Sequence, residues 1–112
     1  MTGSRQQDLI RRTTPLTEAS FYILISLAEP LHGYGVMQKV MELSRNRVQL
    51  GPGTLYGALT NLMSQGLIEA VDGAGGERKK LYQLTEDGRL VAEHEVRRME
   101  ELSRHGHMLL GI

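Results

Sequence analysis

The chain has 112 residues, 40% of them apolar and 23% charged, a size and balance that suit one soluble domain with one core. It has no cysteine, which excludes a disulfide framework and a thiolate metal site and makes a reducing, cytoplasmic setting the expected one. Its 13 basic and 13 acidic residues cancel, no apolar run approaches the ~18 residues of a membrane span, and the opening MTGSRQQDLIRRTT lacks the hydrophobic stretch of a secretory signal.

In chain order, residues 1–14 are polar and without periodicity, and they predict a flexible arm with at most one loose helical turn over 8–12. Thr17 is a good N-cap for a helix that Pro30 must end. The middle of that helix, 21–28, is apolar on nearly all sides, so it needs cover from more than one direction. In so short a chain the second cover is expected from another subunit. Residues 31–33 predict a turn, followed by a helix over 35–43 with Val36, Met37, Val40 and Met41 inside. A linker follows over 44–51. The next helix starts at Pro52, whose missing N–H is not needed at a first helical position, and ends at Gly66. Two strands over 67–72 and 79–84 flank the turn Gly73-Ala74-Gly75-Gly76 and form a hairpin. Thr85 then caps a long final helix.

The predicted fold is mainly α with a small β-hairpin. Three helices, a two-stranded wing and a long helix describe a winged helix-turn-helix over 15–84 and a C-terminal dimerisation helix over 85–112.

On a 100° wheel, the helix over 52–66 places Leu55, Ala58, Leu59, Leu62 and Met63 on one side. Thr54, Tyr56, Gly57, Thr60, Asn61 and Ser64 share the other. This outer set is short, polar and uncharged. Such a face fits a DNA major groove, where Thr54, Tyr56 and Thr60 can reach bases or phosphates and Asn61 can pair with an adenine edge. The same face would also serve as plain solvated surface. No Lys or Arg lies between Gly51 and Gly66, so phosphate neutralisation must come from elsewhere. Candidates are Arg78, Lys79 and Lys80 beside the wing turn, Arg45 and Arg47 in the linker, and Lys39 on the preceding helix. A three-charge run is ordinarily a solvated hairpin. Its position flanking a recognition helix favours phosphate contact.

Four segments in order resemble the PadR family of bacterial transcriptional regulators across about residues 16–104. They are Leu31-His32-Gly33-Tyr34-Gly35; Gly53-Thr54-Leu55-Tyr56 with Ala58, Leu59 and Leu62; Gly66-Leu67-Ile68; and the run from Arg78 to Gly88, RKKLYQLTEDG. The resemblance implies a homodimeric winged-helix repressor whose Thr54 and Tyr56 approach double-stranded DNA and whose basic wing touches the backbone. With one helix after the wing, the chain looks like the short branch of the family. The expected partners are an inverted-repeat operator and a second copy of the chain. The other reading is a winged helix for protein–protein contact without DNA.

In the last helix Ala92, Val96, Met99, Leu102, Gly106 and Leu109 recur at near-heptad spacing, interrupted by Gly106. The resemblance implies that this seam pairs with the partner's copy and with the apolar helix over 17–29. The interface set is Phe21, Leu24, Ile25, Val96, Met99 and Leu102. A small apolar effector, where one exists, would sit at that interface, since the winged-helix body is too small for a cavity of its own. His94, His105 and His107 lie near Glu93, Glu95 and Glu101, but 105 and 107 do not share a helical face, and they read as solvated histidines rather than metal ligands. No catalytic constellation, phosphate loop or cofactor motif stands out, so neither enzyme activity nor a cofactor is expected.

Overall fold

The computed structural model describes residues 2–71 and 80–112, with side chains described from residue 5 onward. Five helices and three strands follow in order: α1 (Thr2–Thr13), α2 (Glu18–Ser26), β1 (Leu31–His32), α3 (Gly33–Leu43), α4 (Pro52–Ser64), β2 (Ile68–Val71), β3 (Leu81–Leu84) and α5 (Glu86–Leu110).

The local signals act as physical chemistry requires. The Thr17 side chain accepts from Ser20 N–H at 3.1 Å and starts α2. Pro52 opens α4. Gly66, at φ +78°, takes the left-handed conformation that ends it, and Leu67 N–H returns to the Leu62 carbonyl at 3.0 Å. Thr85 works twice: its hydroxyl accepts from Gly88 N–H at 3.0 Å and donates to the Gly66 carbonyl at 2.6 Å. The start of α5 is thereby tied to the end of α4.

The core draws buried apolar side chains from every element except β1. It contains Leu9 of α1, Ile23 and Leu24 of α2, Val36 and Val40 of α3, Leu55, Leu59 and Leu62 of α4, Ile68 of β2, Tyr82 of β3 and Val91 of α5. Each such side chain, removed from water, contributes about 1.5–3 kcal/mol.

Three expectations are corrected. The N-terminal arm is the helix α1. Leu9 is 1% exposed in the core, and Arg5 reaches Asp87 of α5 at 2.8 Å. One buried leucine, the half-buried Ile10 and one ion pair dock a helix whose other described side chains are polar. The segment expected as a turn at 31–33 contains β1, which pairs antiparallel with β3 (Leu31 opposite Tyr82, His32 opposite Leu81) and completes a three-stranded sheet of order β1-β3-β2. Leu24, expected at a subunit interface, is fully buried inside the single chain. Helix α2 finds its second cover from α3 and α5 of its own subunit, so Leu24 leaves the interface set. Helix α5 also runs unbroken through Gly106.

Helix α2 packs on α3 and α5, and α5 projects beyond the body with its last two turns in solvent. Among the described residues no helix is long and apolar enough to cross a membrane.

Candidate nucleic-acid interface

Helices α3 and α4, joined by residues 44–51, form the helix-turn-helix. Helix α4 divides as its periodicity requires. Leu55, Leu59 and Leu62 are buried, Ala58 and Met63 half-buried, and Thr54, Tyr56, Gly57, Thr60, Asn61 and Ser64 exposed. The inner leucines hold the helix on the core and leave an uncharged polar face open.

Tyr56 does more than face outward. Its ring lies against Gly33 at the start of α3, so close that a Cβ on residue 33 would stand 2.6 Å from the Tyr56 hydroxyl. Burial, and then the neighbouring Tyr56 phenol, push the Tyr82 phenol above its ordinary pKa. Gly33, Tyr56 and Tyr82 thus bring α3, α4 and the sheet together beside the polar face. Tyr34, the next residue of α3, is 65% exposed, and its hydroxyl accepts from the Gln38 amide at 3.4 Å. Neither the Gly33–Tyr56 packing nor the Tyr34–Gln38 pair was expected. The i, i+4 spacing of Tyr34 and Gln38 was the available signal for the second.

The linker is set by its backbone. Arg45 and Asn46 both adopt positive φ, at 52° and 65°. The Ser44 hydroxyl donates to the Val40 carbonyl at 2.8 Å and accepts from Val48 N–H at 3.0 Å. Arg45 is exposed and Lys39 half-buried. Arg47 is engaged elsewhere: its guanidinium meets the Glu18 carboxylate at 2.6 and 2.7 Å and lies 3.4 Å from the Tyr22 hydroxyl. The hydrogen bond that Arg47 donates to Glu18, and then the Glu18 charge, raise the Arg47 pKa above its ordinary value. Arg47 therefore joins the linker to the start of α2 with its charge already matched. Lys80, before β3, is exposed, and its carbonyl lies 3.2 Å from His32 Nδ1. Arg78 and Lys79, with the turn 73–76, lie outside the described residues.

The interface set, Leu24 aside, stands at the surface to differing degrees. Phe21 and Ile25 are half-buried, while Val96, Met99 and Leu102 are 43%, 38% and 55% exposed. A groove of about 490 Å³ between α2 and α5 is lined by Ile25, Ala28, Ala92 and Val96.

Glu95 was read only as a neighbour of histidines. It is 1% exposed and fully engaged: Leu16 N–H donates to it at 2.6 Å, and Arg98 donates at 2.6 and 3.1 Å. Burial works against its ionisation. The Arg98 hydrogen bond, the Leu16 N–H and the Arg98 charge outweigh that and hold its pKa below the ordinary carboxylate value. The adjacent His94 is half-buried rather than solvated, with its Nδ1 buried and without a hydrogen-bond partner. Among the described residues no group of three metal-ligating side chains comes together.

A helix-turn-helix with a sheet at its flank, a polar outer face on its last helix and a long C-terminal helix defines a winged helix-turn-helix DNA-binding protein. The PadR-like transcriptional regulator family model matches residues 23–94, and the chain belongs to that family. It is therefore a DNA-binding transcriptional regulator and not an enzyme, and the reading without DNA is set aside. The transcriptional regulator Rv3488 of Mycobacterium tuberculosis is 36% identical over 78 residues, covering 66% of this chain and 67% of that protein. A 37.1 kDa protein of transposon Tn4556 from Streptomyces fradiae is 38% identical over 87 residues, which are 77% of this chain and only 24% of that protein. A PadR family regulator from Clostridium difficile shares the fold, with a TM-score of 0.73 at 23% identity, covering 84% of this chain and 99% of that one.

Proposed function

We propose that the chain acts as a homodimeric repressor on an inverted-repeat operator. The observation that carries this reading is the open face of α4, with Thr54, Tyr56, Thr60 and Asn61 exposed over the buried Leu55, Leu59 and Leu62. This face enters a major groove, where Asn61 and Thr54 discriminate among bases. Lys80, with Arg78 and Lys79, neutralises flanking phosphates, and Arg45 and Lys39 add to that charge. Arg47 contributes least, because Glu18 already matches it. Two copies meet along Val96, Met99 and Leu102, since a lone subunit leaves these side chains in water. An apolar effector would lie where that seam meets Phe21 and Ile25, and it would act by favouring one angle between the subunits.

The test is duplex binding as a function of salt. Replacing Arg78, Lys79 and Lys80 with Ala should weaken binding to all sequences and flatten the salt slope. Asn61→Ala should instead change the ranking of sites. Unchanged affinity and slope in the triple variant would remove the wing from the interface.

A further inference from the structure

Glu18 opens α2, directly after its Thr17 cap, and Arg47 lies in the linker between α3 and α4. Folding brings the two together across 29 residues. Arg47 Nη1 donates to both Glu18 carboxylate oxygens, and Nη2 reaches toward the Tyr22 hydroxyl one turn further along α2. The other described cations placed beside the DNA-reading face are Lys39, Arg45 and Lys80. None of these three forms an ion pair with a described residue. Among them and Arg47, only Arg47 has a carboxylate on it.

The fold has little need of this pair. Its side chains are 61% and 51% exposed, and a solvated pair shifts an equilibrium by only roughly twofold to fivefold. The linker is already shaped by the Ser44 hydroxyl and by the positive φ of Arg45 and Asn46. Glu18, for its part, is favoured at the N-terminus of α2 with or without Arg47.

The pair does change the charge that the linker presents. Arg47 lies five residues before Pro52, the first residue of α4, and so within about 18 Å of it even with the chain extended. The major groove is about 12 Å wide, with phosphates on both rims. When α4 enters it, rim phosphates come within range of a long guanidinium side chain on the linker. A phosphate must then compete with Glu18 for Arg47.

We propose that Glu18 withholds Arg47 from DNA phosphates: the guanidinium stays on α2 when DNA binds, and without the carboxylate it becomes a phosphate ligand. Glu18 acts through Arg47 and is a positioning residue. It lowers affinity that is independent of sequence, and leaves a larger share of binding to the bases that α4 reads. The inference rests on the DNA-binding reading.

The test is the affinity of the full chain for a random-sequence duplex, by fluorescence anisotropy over about 50–200 mM salt. Glu18→Gln should bind about twofold to fivefold more tightly per subunit. Its salt slope should steepen by about one unit per subunit, the signature of one added phosphate contact. In an Arg47→Gln background, the same Glu18→Gln change should leave the slope as it was and give a smaller gain. A thermal melt verifies that each variant is folded. A folded Glu18→Gln protein of unchanged or weaker affinity would overturn the proposal, showing the pair to be neutral or a brace that DNA binding needs. Loss of folding would overturn it as well, since the pair would then be structural. An equal gain with and without Arg47 would show that the carboxylate acts by its own repulsion, and the proposal would fall. A parent chain that bound no duplex at low salt would remove the DNA-binding reading itself, and this inference with it.

Discussion

The Tyr56 ring and Gly33 touch so closely that residue 33 has no room for a side chain. One contact thereby joins the first turn of α3 to the exposed face of α4, and it sets where the Tyr56 hydroxyl stands. Gly33→Ala should displace the ring rather than unfold the chain, because the obstructing atoms belong to a side chain that is 47% exposed. Thermal stability should fall by about 1 kcal/mol or less. Operator affinity, measured by fluorescence anisotropy, should fall severalfold. A Gly33→Ala protein with full affinity would show that the position of Tyr56 is immaterial to DNA binding.

Gly88 presents the opposite case. A Cβ there would collide with the Leu67 backbone carbonyl, which also accepts from Thr85 N–H at 3.1 Å. Backbone held on both sides cannot move away cheaply. Gly88→Ala should destabilise the fold by roughly 2–3 kcal/mol, read as a lower denaturant midpoint. A change of a few tenths would mean that the α4–α5 junction is looser than described.

Glu95 predicts a pH dependence. Its pKa is held below the unfolded value of about 4.3, so it binds fewer protons folded than unfolded near that pH. Its stabilisation is complete above the unfolded value and is lost as pH falls through the folded one. Glu95→Ala should cost about 3 kcal/mol near neutral pH, by leaving Leu16 N–H and Arg98 without their acceptor. The variant should also lose part of the acid limb of its stability profile. Parallel profiles for variant and parent would show that Glu95 is not the group responsible.

Leu102→Asp tests the seam. Leu102 is 55% exposed in the single chain, so the fold itself should tolerate the change. The variant should sediment as a monomer or aggregate and lose tight operator binding, since two half-sites need two copies. A stable wild-type monomer at micromolar concentration would contradict the proposed dimer.

What the sequence made legible was whatever is written in short-range chemistry. Thr17, Pro52, Gly66 and Thr85 mark helix ends through hydrogen bonds within a few residues, and they are where they were expected. The split of α4 into buried leucines and exposed polar side chains follows from a repeat of 3.6 residues. The misses are long-range. Helix α1 docks through Leu9 and an Arg5–Asp87 pair 82 residues apart, which no local pattern reveals. A two-residue strand such as β1 exists only because β3 lies beside it. Leu24 looked like a side chain in need of a partner because α2 is apolar all round, yet its cover comes from α3 and α5 of the same chain. Arg47 looked like a phosphate ligand until the chain brought Glu18 to it across 29 residues.

The bond from Leu16 N–H to Glu95 makes α5 a lever with its pivot inside the winged-helix body. Beyond that pivot the helix continues to Leu110, a rigid arm of about 22 Å at 1.5 Å per residue. A swing of about 5° at the pivot carries the tip sideways by about 2 Å over that length. In a two-fold pair the displacement occurs at both arms. In the proposed dimer the separation of the two α4 helices would then depend on one buried carboxylate in each subunit, a group away from the DNA-reading face.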